Sequence, residues 1–102
     1  GTPGLSVQDL DIPRSFKLGE VFPNPFNGYI TIPIHTENAM NATIDIIDIQ
    51  GKRVDVLFEN KSLQGQNAIQ IQWNGNNFSS GVYFVRVQTE TDVQLKKMSL
   101  IK

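Results

Sequence analysis

The sequence contains no cysteine, one histidine and three alanines, Ala39, Ala42 and Ala68, among its 102 residues. Without cysteine there is no disulfide framework, no zinc–thiolate site and no thiol nucleophile. With His35 as the sole histidine, a transition-metal centre lacks its usual ligands. Charge of one sign is missing too: nine Lys and Arg stand against ten Asp and Glu. That balance leaves no basic field for phosphate-driven binding, so nucleic acid is not expected as a partner. No run approaches the roughly 20 apolar residues of a membrane helix, and no charged–apolar–small leader opens the chain.

What is present favours strands. Ile, Val and Thr are abundant, and β-branched side chains fit a pleated sheet better than a helix. Asn and Gly cluster between the apolar runs, where turns need them. Residues 1–17 hold no period; they are expected to be a linker from an upstream cargo domain, with Leu10, Ile12 and Phe16 docking locally. Residues 18–102 are expected to form one domain.

A short strand is predicted at Leu18–Phe22. Tyr29–Thr36 alternates with Ile30, Ile32 and Ile34 on one face, the period of a half-buried strand. Pro33 has no N–H to give a ladder, which predicts an edge position or a bulge there. Strands follow at Ala42–Ile49, Arg53–Phe58, Asn67–Trp73, Val82–Thr89 and Val93–Ile101. Glu59–Gln66 is polar and is expected as a loop. About seven antiparallel strands with turns at short intervals and no helical stripe predict an all-β fold, an immunoglobulin-like β-sandwich. A barrel is the structural alternative.

Four motifs stand out in order: Phe22-Pro23-Asn24-Pro25-Phe26-Asn27, Asp48-Ile49-Gln50-Gly51-Lys52-Arg53-Val54, Ser80-Gly81-Val82-Tyr83-Phe84-Val85-Arg86-Val87, and Lys96-Lys97-Met98-Ser99-Leu100-Ile101-Lys102. In this order and spacing, Leu18–Lys102 resembles the C-terminal sorting domain of the type IX (Por) secretion system of Bacteroidetes. The chain also stops just after its last expected strand, as such domains do.

The resemblance implies a non-enzymatic delivery signal on a larger secreted protein. The outer-membrane secretion machinery recognises it, a sortase-like cysteine peptidase cuts upstream, and the cargo leaves the periplasm for the cell surface or the medium. The family's motifs fall on Pro23, Asn24, Pro25 and Phe26, on Asp48 and Gly51, on Gly81 and Tyr83, and on Lys96, Lys97 and Lys102. Gly28-Tyr29 departs from the family's usual Pro or small residue after the first motif.

Each motif also has a plain structural reading. The proline segment brackets the sheet and seats Phe26 over one end. Asp48 and Gly51 shape a turn. Lys96 and Lys97 point to opposite faces and guard an edge, one stem covering apolar surface. In the functional reading the terminal strand is docked by strand addition. Trp73 is expected in the core, Asp45 as surface charge and His35 as exposed. Asp9 and Asp11, or Asp45 and Asp48, form no calcium loop, and no nucleophile elbow surrounds any serine. The Asn41, Asn60 and Asn77 triplets match the glycosylation pattern, as an Asn-rich chain does by chance. A carbohydrate-binding or adhesion module would instead show a row of exposed aromatics, and an assembly module would self-associate weakly through strand edges. No cofactor is expected.

Overall fold

The computed structural model describes residues 16–65 and 67–102. Seven strands run in order: β1 (Phe16–Leu18), β2 (Tyr29–Thr36), β3 (Met40–Asp48), β4 (Arg53–Leu63), β5 (Asn67–Asn74), β6 (Gly81–Gln88) and β7 (Val93–Leu100). They form two antiparallel sheets, β1-β2-β5 and β4-β3-β6-β7, packed as an immunoglobulin-like sandwich rather than a barrel.

Alternation decides which residues meet between the sheets. Ile30, Ile32 and Ile34 of β2 face Ile44 and Ile46 of β3, Val85 and Val87 of β6, and Met98 and Leu100 of β7; all are buried. Each such side chain contributes about 1.5–3 kcal/mol by leaving water. Trp73 closes one end of this core, as its alternating strand predicts, and its indole N–H donates to Asp55 at 2.8 Å.

Four expectations are corrected. The first strand lies at Phe16–Leu18, and Phe22 makes only an isolated bridge to Thr31. The polar stretch after Phe58 is no loop: β4 continues to Leu63 because Lys61, Ser62 and Leu63 pair with Ala42, Asn41 and Met40. Backbone pairing carries this extension where apolar periodicity is silent.

Pro33 lies on the central strand of its sheet, not on an edge. The ring is tolerated because β1 has already ended there; on that side Pro33 only accepts, taking the Gly19 N–H at 2.8 Å. Asp45 is on the outer face, as its parity requires, yet its side chain is only 2% exposed. Arg53 Nε at 2.9 Å and Arg86 Nη2 at 2.7 Å cover it.

Candidate docking site: the clasped end of the terminal strand

The strand register gathers the four sequence motifs at one end of the sandwich. Asp48 of β3 pairs with Tyr83 of β6, which pairs with Met98 of β7. Gly81 pairs with Leu100, and Leu100 bridges Phe26. Residues far apart in sequence therefore share one structural neighbourhood.

The segment Pro23–Phe26 crosses from the three-stranded sheet to the outer edge of β7. Both of its X–Pro peptide bonds are cis. Asn24 lies along β7 and imitates a neighbouring strand: its Nδ2 donates to the Lys97 carbonyl and its Oδ1 accepts the Ser99 N–H, both at 2.9 Å. Phe26 continues the imitation with its backbone, donating to Ser99 O and accepting from Ile101 N–H, each at 2.9 Å. An antiparallel neighbour could not enter this half of β7 while the clasp is shut, since a buried or paired edge offers no free donors or acceptors. A strand added to β7 would therefore have to use its edge ahead of the clasp or displace the clasp.

Phe26 also anchors the clasp in the core. Its ring is 2% exposed and sits 5.9 Å from the Trp73 ring. Trp73 contacts Phe78 at 5.1 Å and Tyr83 at 5.6 Å, an aromatic cluster that fastens β5 and β6 to the clasp. Gly75 fits under it: a Cβ there would stand 3.1 Å from both Phe26 Cε2 and Leu100 Cδ2.

The other motif residues shape this end without exposing reactive atoms. Asp48 Oδ1 accepts the N–H groups of Gln50 and Lys52, each at 2.9 Å, and closes the β3–β4 turn. Gly51 completes that turn at a φ of 83°, a conformation that favours glycine. Gly81 starts β6 at a φ of 154°. Tyr83 is buried, and its hydroxyl donates to Ser79 O at 2.7 Å, tying the incoming loop to β6.

The lysines divide as adjacent strand positions do. Lys96 lies on the inner side, half-buried, with Nζ 2.7 Å from Glu20. That hydrogen bond, and then the charge of the ammonium, holds the Glu20 carboxyl below its ordinary range. Lys97 is exposed on the opposite face. Lys102 lies beyond β7: its N–H donates to Ser80 Oγ at 3.0 Å and its ammonium to the Asn76 carbonyl.

One contributor escaped sequence reasoning. Gln94 on β7 stitches the outer edge of β1: its Oε1 accepts the Leu18 N–H at 2.9 Å and its Nε2 donates to Phe16 O at 3.0 Å. Only its parity, shared with Lys96, Met98 and Leu100 on the inner face of β7, hinted at such a role.

The aromatic residues do not form the row a sugar platform needs: Phe26, Trp73 and Tyr83 are internal, while Phe22 and Tyr29 are exposed. His35 is exposed and pairs with Glu37 at 3.2 Å. Among the described residues no cluster of His, Asp and Glu could hold a metal ion, and no helix is long and apolar enough to cross a membrane. Asp9, Asp11, Leu10 and Ile12 lie outside the described residues.

The family profile described as the secretion system C-terminal sorting domain matches residues 20–102. The chain belongs to this family. Sorting domains of this kind are the C-terminal signals of type IX secretion; they mark the proteins that carry them for export across the outer membrane, and the family is not catalytic. The sorting domain is also similar in fold to the solved structure of dimeric latent PorU from Porphyromonas gingivalis. The superposition has a TM-score of 0.63 at 22% identity over 84% of this chain. It spans only 9% of the PorU chain, so the likeness concerns one domain. No curated protein sequence matches the chain.

Proposed function

We propose that the sorting domain is recognised through its clasped end, and that it carries no reaction of its own. The surface comprises the clasp residues Pro23, Asn24 and Pro25, the exposed ammonium of Lys97 and the C-terminal Lys102. The observation that carries this is the Asn24 amide paired with Lys97 and Ser99, because it welds two distant motifs into one preformed surface. A preformed surface loses little conformational freedom when a partner docks. Phe26, Asp48, Gly51, Gly81 and Tyr83 build and support that surface from below. The outer-membrane machinery is the partner in this reading. A sortase-like cysteine peptidase then cuts ahead of β1, within residues 1–15, which link the domain to its cargo, and the cargo is attached at the cell surface or released.

The test is secretion of a reporter fused ahead of the full chain in a type IX-competent host. Lys97→Glu combined with Lys102→Glu leaves the core intact and is expected to strand folded reporter in the periplasm. Undiminished export of this variant contradicts the reading. Mass spectrometry of the exported reporter is expected to place the new C-terminus between residues 1 and 15, and a cut inside the sandwich would refute the linker assignment.

A further inference from the structure

The sandwich has four edge strands, β1, β4, β5 and β7, and three of them are guarded. Strand β1 has three residues and its outer edge is stitched by Gln94. Strand β7 carries two lysines and the Asn24–Phe26 clasp. Strand β4 has three register irregularities against its neighbour and carries charges of both signs at Arg53, Asp55, Glu59 and Lys61. Short length, charge, bulges and covering segments are the devices that keep edges from pairing with other chains.

Strand β5 has none of them. Its eight residues, Asn67–Asn74, contain no charge and no proline, and they keep unbroken register with β2. Gly75 N–H donates to Gly28 O, which fixes the parity of this ladder. Ile69, Ile71 and Trp73 therefore turn their backbone groups to β2, and Ala68, Gln70 and Gln72 turn theirs outward. Among the described residues those outward groups have no partner, and Ile69 and Ile71 stay half-exposed beside them.

We propose that β5 pairs antiparallel with β5 of a second copy of this chain, about a two-fold axis, to make one continuous six-stranded sheet from two three-stranded sheets. The strand is complementary to itself. Of the registers that match the free backbone groups, the two that overlap the strands most fully set Gln70 of one copy against Gln70 or Gln72 of the other. The half-exposed isoleucines then lie against apolar side chains of the other copy on the core face. No charge on either strand opposes the approach, and a net charge of −1 adds little repulsion between copies. The isologous contact closes on itself, so pairing stops at the dimer.

Sedimentation equilibrium of the full chain from about 10 μM to about 1 mM tests this. The expected result is a concentration-dependent monomer–dimer equilibrium. The double variant Gln70→Lys/Gln72→Lys brings like charges together in both registers and is expected to weaken association by at least about tenfold; the corresponding double Glu variant does the same. Both positions are exposed, so each variant keeps its strand spectrum and its melting midpoint. An equimolar mixture of the two variants is expected to regain the dimer. A wild-type chain that stays monomeric throughout, a dimer that both variants leave unchanged, or a mixture that stays monomeric each overturns the proposal.

Discussion

The β1–β7 side of the sandwich and the β4–β5 side solve the same physical problem differently. On the first, backbone groups that a sheet edge would leave open are met by side-chain amides: Gln94 for β1 and Asn24 for β7. On the second, bulges and charges protect β4, and β5 is bare. A side-chain amide sets an N–H donor beside a carbonyl acceptor as a peptide group does, so a single Asn or Gln can end a ladder without adding a strand. The sequence motifs lie at the clasped side, where the proposed docking surface sits.

The largest expected effect comes from removing the clasp's anchor. Phe26→Ala empties a site lined by Trp73, Leu100 and Gly75 and should destabilise the fold by about 3–5 kcal/mol, measured by urea unfolding. Next comes the opposite, outer face. Asp45→Ala leaves Arg53 and Arg86 without their shared acceptor; because both arginines still reach water, the loss is about 1–3 kcal/mol.

Asp45 also carries a pH signature. Burial pushes its carboxyl up, but hydrogen bonds from Arg86 and then Arg53 outweigh it and leave the group below its ordinary value. Folding thus favours the ionised form. The stabilisation is complete above the ordinary aspartate pKa of about 3.9 and is lost as pH falls through the lower native value. Unfolding midpoints of Asp45→Asn should therefore fall less steeply below about pH 4 than those of the wild type.

Asn24→Ala is smaller again, about 1 kcal/mol, since water can replace the amide at an exposed edge. A cost equal to that of Phe26→Ala would mean the amide, not the ring, holds the clasp. Smallest is the Glu20–Lys96 pair at the surface. Lys96→Met should return the Glu20 titration, followed by NMR, to the ordinary glutamate range while leaving the melting midpoint nearly unmoved.

Alternation made most of this architecture legible. Ile30, Ile32 and Ile34, or Tyr83, Val85 and Val87, declare strand and face together because side chains alternate across a sheet. Elements held by backbone pairing were hidden. Lys61–Leu63 carries no apolar period, and its strand exists because Met40–Ala42 lies opposite. Pro33 misled because the rule about proline concerns one side of a strand, and β1 ends just before that side is needed. Asp45 misled because outer-face parity says nothing about what neighbouring strands lay across it. At the candidate site the motif residues were visible from their types and spacing. The pairing of Asn24 with β7 was not, since it joins residues more than seventy positions apart and only the register brings them together.

Amide hydrogen exchange along β7 tests the clasp most directly. Leu95 and Lys97 share the outward backbone parity of Ser99, but only Ser99 N–H and Ile101 N–H are capped, by Asn24 and Phe26. Slow exchange at Ser99 and Ile101 against fast exchange at Leu95 and Lys97, with Ser99 alone speeding up in Asn24→Ala, is the predicted pattern. Equal, rapid exchange at all four amides in the wild-type chain would show the edge open and contradict the account.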